Sequence, residues 1–175
     1  MKTFLLIGAT IISGFFSCTK EKSDDTYWGE VTAQKNSELW SGKIRCLNNK
    51  PYNQGIDIDI DVYNSKNVRS ENLFFFKYPN AEGTYLIDST GVRIIDSLHG
   101  AVYHTLQDDG TAGDSYYIIE GIVDNWLKIT KKEEDELWGE FQVAFVKDLK
   151  YGEQDPAAPD TVIFTKGNFH TRLSQ

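Results

Sequence analysis

Covalent bracing is scarce in this chain: two cysteines and four prolines stand in 175 residues. If Cys18 is consumed by lipidation, as argued below, Cys46 has no intramolecular disulfide partner, and the fold must be held by its core. Histidine is equally sparse. His99 and His104 are five positions apart, which puts them on opposite faces of a strand, and His170 is remote, so zinc ligation is not expected. Positive charge is in deficit, with 18 basic against 26 acidic residues and a net charge of −8, which makes nucleic acid a poor partner. No G-x-S-x-G, P-loop, dinucleotide fingerprint or H-E-x-x-H is present, so the chain is expected to be non-enzymatic and free of cofactors. Glycoside hydrolysis needs only two carboxylates, and with 26 acidic residues their mere presence carries no weight.

Long apolar runs are also missing. The longest, Phe4 to Phe16, has 13 residues, short of the ~20 that a spanning helix needs. With Lys2 before it and Ser17-Cys18 after it, the segment resembles a lipoprotein export signal, in which a small residue precedes the cysteine that becomes the lipidated N-terminus. Residues 1–17 are therefore expected to be a signal peptide and Cys18 the lipidation site. Several acyl chains, each at ~0.8 kcal/mol per buried methylene, make such an anchor effectively permanent. Residues 18–26 read T-K-E-K-S-D-D-T after the cysteine, a polar tether without apolar positions. Charged tracts at this place resemble the signal that carries Bacteroidota lipoproteins to the outer membrane, some of them to its outer face.

From residue 27 onward the hydrophobic period is two, the strand signature. The clearest case is Ile56 to Val62, I-D-I-D-I-D-V, with apolar residues on one face and Asp57, Asp59 and Asp61 on the other, expected to be wet. Further strands are expected at Trp28 to Gln34, Ser41 to Leu47, Asn72 to Tyr78, Thr84 to Ile87, Val92 to Leu98, Ala101 to Gln107, Tyr116 to Val123, Trp126 to Lys131, Leu137 to Val146 and Asp160 to Phe164. Turn chemistry punctuates them at Tyr78-Pro79-Asn80, Asp88 to Gly91, Gln107 to Gly110 and Asp155 to Pro159, and the charged run Lys131 to Glu136 reads as a hairpin loop. Short connections without crossover helices imply antiparallel pairing. The expectation is a single all-β domain over residues 27–175, an antiparallel sandwich of about 9–11 strands, with a calycin-like up-and-down barrel as the alternative.

Two acidic groupings invite a metal reading. Asp57, Asp59 and Asp61 begin like a calcium loop, but Val62 and Val68 stand where glycine and glutamate are required. Asp108, Asp109 and Asp114 form a second acidic stretch that reads better as a polar turn. These six are metal candidates only in that limited sense, and no metal is expected. Aromatic content is high, with four Trp, nine Tyr and ten Phe. Most must fill a core. Tyr116, Tyr117, Trp126 and Trp138 are the candidates for ligand contact, since adjacent aromatics place rings on both faces of a strand. The triplet W-G-E occurs twice, at Trp28 to Glu30 and Trp138 to Glu140, and Gly139 and Gly167 each precede a Phe by two residues, as at a bulge or close backbone approach.

The C-terminal half carries a family resemblance. Gly83-Thr-Tyr-Leu86, Ile129-Thr130, Gly139-Glu-Phe141 and Thr165-Lys-Gly-Asn-Phe169 resemble the G-T-Y-x-L, I-T, G-x-F and T-x-G-x-F motifs of a family of small β-rich Bacteroidota lipoproteins. The resemblance spans roughly residues 83 to 173. It implies an envelope-anchored β domain and supplies no catalytic residues. The expectation is a lipid-anchored outer-membrane protein, attached to the membrane by its lipid and acting as a non-catalytic module for a glycan or protein partner. A barrel carrier of a small apolar ligand is the alternative.

Overall fold

The computed structural model describes residues 27–49, 55–87, 99–150 and 155–174. The expected signal segment and tether, Cys18 and the strand expected at Val92 to Leu98 lie outside them. Ten strands form one sheet: β1 (Gly29–Lys35), β2 (Glu38–Asn49), β3 (Gly55–Tyr63), β4 (Arg69–Pro79), β5 (Gly83–Leu86), β6 (Gly100–Leu106), β7 (Ala112–Ile118), β8 (Trp126–Glu133), β9 (Glu136–Lys147) and β10 (Thr161–Ser174). Among the described residues there is no helix.

The all-β antiparallel class expected from the sequence is what the fold shows, and the hydrogen-bond ladder realises its barrel form. Strands β1, β2, β3, β4, β6, β7, β9 and β10 pair in that order, each antiparallel to the next, and β10 returns to β1. The result is an eight-stranded up-and-down barrel without free edges along this circuit. Strand β8 pairs with the first half of β9, from Glu136 to Gln142, while β7 pairs with its end, from Phe145 to Lys147. Asn125 bridges the step between β7 and β8, its amide donating to Ile119 O at 2.8 Å and accepting from Ala144 N at 2.8 Å. Strand β5 adds to the outer edge of β8.

Alternation decides what faces inward. Val31, Ile44, Ile58, Leu73, Tyr103, Phe145 and Phe164 point inside and are buried. The interior is filled by rings in contact: Phe75 to Phe141 at 5.2 Å between centroids, Tyr103 to Phe164 at 5.4 Å, Trp40 to Phe164 at 4.9 Å and Phe145 to Phe164 at 6.1 Å. Each such side chain contributes roughly 2–3 kcal/mol of burial, so these layers dominate the stability of a domain without staples.

Strand β10 differs from expectation because a bulge resets its period. β10 runs to Ser174 rather than ending at Phe164, since Lys166, at φ 52°, shifts the register between Phe164 and Gly167. Phe164 and Phe169 thereby both face inward although five residues separate them. β7 begins at Ala112 and ends at Ile118, earlier than the expected Tyr116 to Val123.

Candidate functional site

At one end of the barrel the inward positions turn polar. Lys35 on β1, Glu71 on β4 and Lys147 on β9 continue the inward series of their strands, and Trp40 and Tyr103 present polar atoms beside them. Glu71 Oε1 accepts from Lys35 Nζ at 2.6 Å, and its Oε2 accepts from Trp40 Nε1 and from the Tyr103 hydroxyl, each at 2.9 Å. A carboxylate at the rim of an apolar core is tolerable only with its lone pairs filled, and here three donors from three strands fill them. Burial and the neighbouring Glu71 charge push the Tyr103 phenol well above its ordinary range.

A second inward ion pair lies on the same end. Lys147 and Asp114 are buried, with Nζ 3.6 Å from Oδ1. Lys147 Nζ also donates to the carbonyls of Asp155 at 2.9 Å and Ala158 at 3.2 Å, and Tyr116 donates to Pro159 O at 3.0 Å. These bonds pin the Asp155 to Pro159 turn over the barrel rim. Beside it opens a pocket of about 500 Å³ lined by Thr105, Leu106, Gln107, Gly113, Asp114, Asp155, Pro156 and Ala158. Burial, with Asp114 nearby, pushes the Tyr116 phenol up to about 12.

The outer wall carries a different arrangement. His170 on β10 stacks on Trp138 of β9, centroids 4.3 Å apart and planes 11° from parallel, and meets Trp28 edge-on at 5.1 Å. Lys131 Nζ lies 4.4 Å from the Trp138 centroid and the Arg172 guanidinium 4.4 Å from that of Trp28. Glu136 ties the ladder together, with Oε2 2.8 Å from His170 Nε2 and Oε1 3.1 Å from Arg172 NH2, and these bonds hold its carboxyl below the usual range. The two W-G-E triplets flank β10 from either side: Gly29 opposes Thr171 and Gly139 opposes Phe169.

Several sequence expectations are corrected. Asp59 and Asp61 do not form a wet face, being 6% and 0% exposed. Asp59 accepts from Arg45 at 2.5 and 2.8 Å, and Asp61 accepts from the Tyr27 hydroxyl and from Arg69 at 3.4 Å. A single amide, Asn72 Nδ2, bridges the pair at 2.6 Å to Asp59 and 2.8 Å to Asp61. Neighbouring strands and Tyr27 thus cover the outer side of β3, and the donors are protein groups rather than a cation. Asp57 accepts from Lys77 N at 2.7 Å.

Asp114 sits in a buried strand rather than an acidic turn, and it does not join Asp108 and Asp109. Asp108 pairs with Lys66 at 2.8 Å on the surface, and Asp109 accepts from Thr111 N at 2.9 Å. Among the described residues no three acidic, His or Cys side chains gather as metal ligands. Tyr116 is interior, so it offers no surface contact, because its register with Tyr103 across β6 turns the ring inward. Tyr117 is exposed, Trp126 is half-buried on β8, and Trp138 lies between His170 and Lys131. Cys46 is fully buried and its thiol is pushed up to about 12 by burial.

Sequence reasoning missed the Lys35, Trp40, Glu71 and Tyr103 cluster. A charged residue in the inward parity of a strand, as at Lys35 and Glu71, was the available signal. No family model, no curated protein and no solved structure matches the chain.

Proposed function

We propose that this is a lipid-anchored envelope protein, held to the outer membrane through Cys18, which acts as a non-catalytic binding module and meets its ligand outside a filled barrel. The observation that carries this reading is the ring-to-ring packing of Phe75, Tyr103, Phe141, Phe145 and Phe164, which occupies the space a carrier would give to its cargo. Recognition then falls to the polar rim. Thr105, Gln107 and Asp155 beside Leu106, Pro156 and Ala158 combine hydrogen-bonding groups with small apolar surfaces, a match for the alternating hydroxyl and C–H faces of a glycan. The resemblance of residues 83 to 173 to small β-rich Bacteroidota lipoproteins supports the same reading.

Three experiments divide the claim. Cys18→Ala should release the protein from the membrane fraction, and retention there would refute the anchor. Protease applied to intact cells should cut a surface-exposed domain, whereas full protection would place it inside. On a glycan array, the wild-type protein should bind a restricted set, and Gln107→Ala with Leu106→Asp at the rim should abolish that binding. Binding unchanged in the rim variants would move the site elsewhere.

A further inference from the structure

We propose that the outer wall around Tyr27 and Trp28 rests on the zwitterionic headgroups of the phospholipid membrane. The inference rests on the anchor at Cys18. Nine residues separate Cys18 from Tyr27, and at about 3.4 Å each they keep the lipid-bearing residue within roughly 30 Å of this wall. So short a tether gives the wall a local headgroup concentration on the order of millimolar or more, so contacts too weak to hold a free domain become populated.

The composition of the wall fits that neighbour. Four of the five cation–ring pairs among the described residues lie on it, including Arg172 over Trp28 at 4.4 Å, Lys131 over Trp138 at 4.4 Å and Lys43 over Tyr63 at 4.6 Å. The fifth, Lys35 with Tyr103, belongs to the polar rim. Amphipathic rings beside Lys and Arg are the side chains that settle at the level of lipid headgroups. A stacked sugar is a poorer occupant, because His170 and Lys131 already cover the faces of Trp138. The charges are mixed rather than basic: Arg172 pairs with Asp135 and Glu136, and Lys131 with Glu133. A headgroup bearing both phosphate and ammonium answers both signs, whereas a purely anionic surface would meet these carboxylates.

The test uses the full lipidated protein purified from membranes, with the lipid on Cys18 first established by the mass of its N-terminal peptide. It is then reconstituted in phosphatidylcholine vesicles brominated near the headgroup end of one acyl chain, and in unbrominated ones. Bromine should remove roughly half of the tryptophan emission, that of two of the four tryptophans. Trp28→Phe with Trp138→Phe should abolish most of that loss, since Trp40 is inside the barrel. Lys43→Gln with Lys131→Gln, which leaves every ring in place, should reduce it. Equal emission in both vesicles with lipid present on Cys18 overturns the inference and leaves the anchor standing. Loss undiminished in the tryptophan variant overturns it too, and absence of lipid on Cys18 overturns anchor and inference together.

Discussion

Gly139 and Phe169 face each other across the β9–β10 ladder so closely that a Cβ on Gly139 would stand 2.2 Å from the ring and 2.5 Å from the Lys128 carbonyl. The ring fills the space a side chain would need, and backbone on the β8 side cannot retreat. Gly139→Ala should therefore destabilise the barrel by about 2–3 kcal/mol or prevent folding, read as a lower urea midpoint. Gly110→Ala, where nothing lies within 4 Å but φ is +82°, should cost only about 1 kcal/mol. A loss at Gly139 no larger than that at Gly110 would show that the ring and the carbonyl yield to the added methyl.

Asn72 holds two buried carboxylates with one amide. Asn72→Leu removes the donor and leaves Asp59 and Asp61 each short of a partner, at a cost of about 2–3 kcal/mol. The triple variant Asn72→Leu with Asp59→Asn and Asp61→Asn should recover part of that loss. Urea titrations showing the triple variant weaker than the single one would contradict the bridging role.

The Tyr78 hydroxyl is buried and has no hydrogen-bond partner among the described residues. Tyr78→Phe keeps the ring, which meets Phe75 at 6.1 Å, and removes the unsatisfied group. Its thermal midpoint should equal or exceed that of the wild type, by up to about 1 kcal/mol in stability. A drop of that size would reveal a partner for the hydroxyl.

Titration should destabilise the fold at both extremes. Burial raises the phenols of Tyr27, Tyr78, Tyr103 and Tyr116 above their ordinary value, so the folded state holds their protons more tightly. Their contribution is complete below about pH 10, where unfolded tyrosine titrates, and is lost as pH rises above it. His104 behaves oppositely. Burial, with Arg69 nearby, lowers its pKa, so its contribution is present above about 6.5 and declines as pH falls. His104→Gln should flatten the acid limb of a stability–pH curve and leave the alkaline limb unchanged, and an unaltered acid limb would exclude His104 as its source.

Much of this architecture is legible in the sequence, and what is not has identifiable causes. The I-D-I-D-I-D-V run of β3 declares a strand and its inward face without ambiguity. The burial of Asp59 and Asp61 does not show there, because the groups covering them, Arg45, Arg69, Asn72 and Tyr27, come from other strands and from the chain before β1. Period two fails where a residue is inserted, as at Lys166 in β10 and at Lys77 in β4, both at positive φ. Adjacent aromatics such as Tyr116 and Tyr117 fix that one ring faces inward, and only pairing with Tyr103 decides which. Closure of the barrel likewise depends on β10 finding β1, a pairing between distant parts of the chain that local alternation does not encode. The doubled W-G-E becomes intelligible once β10 is seen between the two copies.

The most direct test of the filled barrel is titration of the purified protein with a fluorescent fatty acid. Packed rings from Trp40 to Phe164 leave the cargo no interior site, so emission should rise without saturation and without one-to-one stoichiometry. Saturable one-to-one binding tighter than about 1 μM, abolished by a bulky substitution at Ala101 inside the barrel, would contradict it and restore the carrier.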